Sequence, residues 1–468
     1  MFYLDIKVFL NNVCQEIKYE PVRKGIADEL ESHIQEIKEE YIESGINEIK
    51  AEEKAVKQMG NAQDIGKKLN KVHRPKLDWK LLLITCILIL FGGLVEIIRI
   101  NNILEDDVIK RDIIRYVFFL GLGMIPSIII YFIDYKKLKK YSNIIYTIAT
   151  LSVFLALLFG KNVNGRPYLY FNIFSVAPEV IALPLYIISF VGFINDFNKE
   201  SKLKSILLKF TNKEININFN FYLIKIVVLS GFSVMLLTLI PSMASALILL
   251  LTYLIIATIK IIQLDKDKVK NLIKLWGIMA IIGISFLTIF LGGTASYRIH
   301  KLTIAFNPES DPQGGGWVAM NRRVIIQNAR MIGEAEDTSY AINLFDEGTD
   351  YAFISIIAHY GWIAGILIVT AIILFSLKLI FNAIKIKEVY GKFIIVGLAS
   401  MFILQSIFNI LMNLNLWIES GFNLPFVSYG IGNLIMNVIS LSIILSVYRR
   451  KDINLYEEGY EKKYEQNI

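Results

Sequence analysis

Apolar positions recur at helical spacing through residues 1–77, set among Glu and Lys. Phe2, Ile6, Phe9, Leu10, Val13 and Ile17 fall on one face of a helix. Pro21 closes that helix and suits the first turn of the next. There Val22, Ile26, Leu30, Ile34, Ile37 and Tyr41 form a stripe that Ser44-Gly45 stops. A third helix is predicted from Asn47 to Met59, closing at Gly60. After Asp78 the pattern changes to apolar runs of roughly 20 residues, the length needed to cross a bilayer. They fall near 80–99, 115–133, 142–160, 175–194, 222–240, 243–263, 275–294, 351–376, 392–413 and 431–448. This pattern predicts an all-α polytopic membrane protein with about ten transmembrane helices and a small soluble N-terminal helical domain. Residues 1–77 form a cytoplasmic helical prefix, 78–450 the transmembrane domain with a long outward loop at 295–350, and 451–468 a cytoplasmic tail.

Composition removes the competing classes. A length of 468 residues admits about three soluble domains. However, 54% of the residues are hydrophobic and only 19% charged, against about 25% in soluble domains. Aromatics at 12% exclude a disordered or collagen-like chain. The N-terminus carries a charge every few residues and lacks a small-residue cleavage site, so it does not read as a signal peptide. Cys14 lies in the polar leader and Cys86 in an apolar run, and neither has disulfide or metal-ligand spacing.

The net charge of +7 reports orientation rather than a nucleic-acid partner. Basic sets follow every even-numbered span: Lys136 to Lys140, Lys199 to Lys213, Lys266 to Lys274, Lys385 to Lys392, and Arg449 to Lys451. By the positive-inside rule these loops and both termini are cytoplasmic. The opposite side then holds Glu105-Asp106-Asp107 and the segments 161–174, 295–350 and 414–430.

The loop 295–350 is too long for a plain connection. It carries Tyr297, Arg298, Lys301, Arg322, Arg323 and Arg330, a Gly314-Gly315-Gly316 bend, and an acidic end at Asp346, Glu347 and Asp350. Asp350 lies where the loop re-enters span eight, beside Tyr351 and Phe353. A carboxylate at a lipid–water boundary is partly desolvated and thereby a better base. The same position also suits a carboxylate that stabilises a helix dipole, which position alone favours. Arg166 and the loop arginines are suited to phosphate oxygens, or to anchoring lipid headgroups. Within the spans, Glu96 can reach the interface. Gln405 and Asn409 are expected to hydrogen-bond inside the bundle. His359, about two turns inside span eight, is expected to be a hydrogen-bonded core histidine.

The stretch GFNLPFVSYGIGNLIMNVISLSIILSVYRR resembles the FtsW/RodA/SpoVE (SEDS) signature, GxPLPFxSYGGSS followed by a last membrane helix. Gly421, Leu424, Pro425, Phe426, Val427, Ser428, Tyr429 and Gly430 match it. NVNGRPYLYFNIFSVAPE is similar to NGARRWI followed by QPSE, IPSMASALIL to QPDLGTALVL, and LFDEGTDYAF to PEAHTDFIF. YRIHKLTIAFNPESDPQGGGW is similar to the family's outward loop. These stretches lie in the family's order over residues 79–450.

The resemblance implies a peptidoglycan glycosyltransferase of the bacterial cytoplasmic membrane. Such an enzyme polymerises lipid II on the outer face, in elongation, division or sporulation, with a class B penicillin-binding protein as partner. It places the family's essential aspartate on Asp350, as general base. Arg166, Arg298, Lys301, Arg322, Arg323, Arg330, Glu179, Ser428 and Tyr429 become the substrate-binding candidates. The diphosphate leaving group would need arginine or a divalent cation such as Mg or Mn, although the residues contain no metal-ligand set.

The departures are specific. Gln-Pro-Asp becomes Ile240-Pro241-Ser242, GGS becomes Gly430-Ile431-Gly432, and the His before Thr-Asp becomes Gly348. The Glu-Glu pair becomes Ala358-His359, and the Lys after QPSE is missing from Val180-Ile181-Ala182-Leu183. Such losses favour an inactive scaffold or regulator that binds lipid II or a penicillin-binding protein. The retained Thr349-Asp350 favours the enzyme. A lipid flippase or transporter is disfavoured by the scarcity of charge within the spans. In the prefix, ADELESHIQEI, a Gly turn and AEEKAVKQMGNAQDI resemble the permease-prefix-like module ahead of some bacterial membrane proteins. That likeness implies a regulatory or adaptor role, and the alternative is an amphipathic cap without a partner.

Overall fold

The computed structural model describes residues 5–101, 106–163, 166–171, 174–195, 217–240, 243–264, 268–291, 300, 303–304, 307–336, 350–418, 421–428 and 430–451. The chain divides into two compact units. One comprises 1–78, 385–388 and 447–468, and the other 79–384 and 389–446.

The first unit contains α1 (Ile6–Glu16), a 3-10 turn at Glu20–Val22, α2 (Arg23–Glu43), α3 (Glu48–Met59) and α4 (Ala62–His73). The first three helices lie where periodicity predicts them, and α4 is an addition. Side chains cap the starts. Asp5 accepts the Lys7 amide at 3.1 Å, Asn47 the Ile49 amide at 3.3 Å, and Asn61 the Gln63 amide at 2.8 Å. Gly45 and Gly60 follow α2 and α3 at φ of +86° and +93°, conformations that favour glycine. The core joins Phe9, Val13 and Ile17 to Val22, Ile26, Ile34 and Val56. Each such side chain contributes roughly 1.5–3 kcal/mol by leaving water.

Gly66 of α4 meets α1 closely, since a Cβ there would lie 2.6 Å from the Glu16 Cβ and 2.7 Å from the Val13 carbonyl. Lys38 ties α2 to α3. Its ammonium donates to Glu52 at 3.0 Å and Glu48 at 3.1 Å, and these bonds, Glu52 first, hold it above the usual lysine range. Cys14 and Cys86 are free thiols.

The second unit is a membrane bundle. It holds α5 (Trp79–Asn101), α6 (Asp106–Phe132), the short α7 (Lys136–Lys140), α8 (Ser142–Phe159) and α9 (Pro178–Asn195). Next come α10 (Ile217–Leu239), α11 (Met243–Leu264) and α12 (Lys268–Leu291), then α13 (Trp317–Asn328) and α14 (Ala352–Tyr360). The unit closes with α15 (Trp362–Lys385), α16 (Val389–Asn413) and α17 (Ile431–Arg449). Among the described residues, six helices, α8, α9, α11, α15, α16 and α17, are long and apolar enough to cross a bilayer. α5, α6 and α10 contain shorter apolar stretches. Together with α12 these helices cover the expected spans, and the protein is a multi-pass membrane protein.

α9 is the central rod, 78% buried, whereas α8 is 28% buried and faces outward. Gly192 lets Ser142 approach α9 closely, and Gly397 of α16 admits Ile187 of α9 and Ile256 of α11. Hydroxyls cross between helices. Thr150 and Tyr186 share a bond of 3.2 Å, and Tyr253 bonds Ser233 at 3.2 Å and donates to the Tyr186 carbonyl at 3.4 Å. In lipid, where apolar surface gives helices little reason to associate, such bonds act as glue.

Two expectations change. The segment expected as a loop at 161–174 folds as a small antiparallel sheet. Its strands β1 (Lys161–Val163), β2 (Arg166–Phe171) and β3 (Phe174–Val176) lie in the order β1-β2-β3. Span eight is not one helix over 351–376. Gly361, at φ +87°, separates the nine-residue α14 from α15. A helix of that length rises about 14 Å, half a bilayer core, so the crossing belongs to α15.

Segment 330–335 satisfies both facing helix ends. Gly333 and Ala335 donate to the Tyr360 and Ala358 carbonyls at 3.2 and 2.8 Å. Trp362 and Ile363 donate to the Arg330 and Met331 carbonyls at 2.9 and 3.1 Å. Backbone groups left open at two facing helix ends need such partners.

Candidate active site

Asp350 sits half-buried in the turn ahead of α14. Its backbone carbonyl accepts two side-chain amides from the end of α16, Asn409 at 2.9 Å and Asn413 at 3.0 Å. Both asparagines are fully buried. A polar group in such surroundings is costly unless bonded, and here the partners are the main chain of the site. Asn409 also donates to the Phe422 carbonyl. Asn413 donates in addition to the Asn409 carbonyl at 2.9 Å.

Segment 421–428 is a folded turn, not an open loop. Ser428 accepts the Leu424 amide on its hydroxyl at 2.8 Å and returns its own amide to the Leu424 carbonyl at 2.9 Å. Phe426 holds φ at +65°, an unfavoured setting for a bulky residue. Its ring is buried 5.5 Å from both Phe375 and Phe402. Gly421, at φ +62°, lies directly against the Arg166 guanidinium, where a Cβ would collide. Strand β2 thereby delivers Arg166 to this turn, one residue from the Phe422 carbonyl that Asn409 holds.

Arg322 approaches from the other side. It is 3% exposed, its Nε donates to Asn415 Oδ1 at 2.9 Å, and its guanidinium lies 5.4 Å from the Tyr351 ring centroid. Such a cation–π contact is worth more when desolvated. Asn415 takes the left-handed setting, φ +57°, which asparagine tolerates. It donates to the Ala319 carbonyl at 3.0 Å, so it joins α13 to the end of α16.

The structure thus gathers Asp350, Arg166 and Arg322 around the end of α16. Arg323 pairs with Glu309 at 2.8 Å, and Arg330 with Glu336 at 3.5 Å, both toward solvent. Glu179 is buried in the first turn of α9, where a carboxylate favours the helix dipole. Ser428, expected at substrate, turns its hydroxyl into its own loop. His359 lies at the last turn of α14, not two turns inside a spanning helix, and its Nδ1 bonds the Ser355 carbonyl at 2.9 Å. Tyr297, Arg298, Lys301, Asp346, Glu347, Gly348, Thr349 and Tyr429 lie outside the described residues, as do Glu105, Lys199 to Lys213, Lys266, Pro241-Ser242 and the tail from 452. The side chain of Glu96 does too. Asn413 and Asn415 were not singled out by sequence, although an asparagine in the last turn of an apolar helix, where Asn413 lies, is a signal in itself.

A bundle of this kind with a site at one end is that of a polytopic membrane protein. Residues 79–453 match the FtsW/RodA/SpoVE family of cell cycle proteins, and the chain belongs to that family. Stage V sporulation protein E of Bacillus subtilis (strain 168) is 24% identical over 382 residues, 79% of this chain and 96% of that protein. The probable peptidoglycan glycosyltransferase FtsW of Buchnera aphidicola subsp. Schizaphis graminum (strain Sg) is 27% identical over 360 residues, 75% of this chain and 94% of its own. A solved chain from "Structural coordination of polymerization and crosslinking by a peptidoglycan synthase complex" aligns at TM-score 0.62 and 18% identity, over 80% of this chain and 98% of that one. The rod shape determining protein RodA of Thermus thermophilus aligns at TM-score 0.53 and 16% identity, over 80% and 97%. The likeness to these structures is one of fold. The family match begins at residue 79, after α1 to α4.

Proposed function

We propose that the protein is a peptidoglycan glycosyltransferase that polymerises lipid II, with Asp350 as its general base. The observation that carries this reading is the fixing of Asp350 at the end of the bundle, with Arg166 and Arg322 brought in by separate elements. The Asp350 carboxylate takes the proton of the acceptor sugar hydroxyl. The hydroxyl oxygen bonds to the donor's anomeric carbon as the bond to the diphosphate breaks. Undecaprenyl pyrophosphate leaves with the electron pair. Arg166 and Arg322 are suited to the charge that develops on that diphosphate, because pre-placed donors in a water-poor site need no reorganisation. Among the described residues no three His, Cys, Asp or Glu side chains converge on a cation site. The names of the relatives support the reaction, and the solved complex, described as coordinating polymerization and crosslinking, supports a crosslinking partner, which on this reading is a class B penicillin-binding protein. The alternation of basic loops supports cytoplasmic termini, with the site on the opposite face.

Purified protein, alone and with a class B penicillin-binding protein, is expected to convert lipid II to long glycan strands. Asp350→Asn removes the base and should lose polymerisation while retaining lipid II binding. Equal polymerisation by the variant, or none by either protein under both conditions, sinks the proposal.

A further inference from the structure

The bond between Asn409 and Asp350 spans 59 residues of sequence, and that between Asn409 and Phe422 spans 13. One side-chain amide thus serves two backbone carbonyls from separate segments. A carbonyl has two lone pairs, and Asn409 and Asn413 supply two donors to that of Asp350. Rotating the Asp350 peptide would strand those donors in a buried site. Flipping the Asn409 amide would set its oxygen against the two carbonyls, so the bonding fixes the orientation. The second carbonyl belongs to the turn whose Gly421 abuts Arg166.

We infer that Asn409, seated by Asn413, is the positioning residue of the active site. It holds the peptide of Asp350 and the turn behind Arg166 in one register, so that base and phosphate-binding arginine meet the substrate together. It touches neither the substrate nor the reacting atoms. The inference rests on the proposed reaction for its kinetic consequence, but not for its geometry.

The test uses Asn409→Leu, similar in size and without donors, in the full-length protein. Lipid II polymerisation should fall on the order of 10²-fold in kcat, the cost of a displacement near 1 Å, with KM changed by less than about threefold. The modification rate of Asp350 by a water-soluble carbodiimide, located by peptide mass spectrometry, should rise several-fold. Asn409→Gln keeps the donors on a longer arm and should lie between the two; it supplies the readout if the leucine variant does not fold. A kcat within about twofold of wild type, or an unchanged labelling rate at Asp350, overturns the inference. If wild type makes no glycan, the reaction is wrong, and the labelling rate alone decides the role of Asn409.

Discussion

Gly361 combines a left-handed φ of +87° with a Cβ position 2.8 Å from the carbonyl oxygens of both Arg330 and Met331. Any side chain there meets backbone in an unfavoured conformation. Gly361→Ala should therefore cost at least about 1–3 kcal/mol, seen as a lower melting temperature in detergent. An unchanged melting temperature would mean that segment 330–335 does not grip the helix break. Lys38 gives a second test, with a sign. Its pKa is raised in the fold, so the folded state holds the proton more tightly than the unfolded chain. The stabilisation is complete below the ordinary lysine value of about 10.4 and fades as pH rises through the folded value. Urea unfolding of residues 1–77 should show a loss of stability above that pH, and Lys38→Met should flatten the alkaline limb. An identical limb in both would remove Lys38 as its cause.

At the scale of elements, long periodic or apolar runs were legible and short, interrupted ones were not. The spans after Asp78 follow from hydropathy because a bilayer demands long apolar stretches. α4 was missed because its stripe is only Ala62, Ile65 and Leu69 and Gly66 reads as a helix breaker. In the fold Gly66 is where α1 comes close. The sheet at 161–176 was hidden because its strands are three, six and three residues long, too short to establish a two-residue period. The Asn164-Gly165 pair was its hairpin signal. The break at Gly361 was hidden for the opposite reason, since the apolar run passes straight through it. Asp350 and Arg166 were legible as candidates from charge in the segments between spans. The role of Asn413 was not, because the identity of a hydrogen-bond partner 63 residues away is a tertiary fact.

Across the whole molecule, the family match covers residues 79–453 and leaves the prefix outside. The prefix has its own apolar core and its own capped helices. Residues 1–77 expressed alone should be helical and unfold cooperatively by circular dichroism, and their deletion should leave membrane insertion of the remainder intact. A fragment without a cooperative transition, or a truncated protein lost from the membrane fraction, would show that the prefix is not an independent module.

The two-donor hold on Asp350 also has a consequence for biosynthesis. Asn409 emerges from the ribosome 59 residues after Asp350, and Asn413 63 residues after it. At about 5–20 residues per second the nascent chain carries its base without its amide donors for roughly 3–12 s. During that interval α15 and most of α16 are being made. The hold on Asp350 is therefore completed only once α16 has been made, and a chain released before then carries Asp350 but not the clamp that holds it.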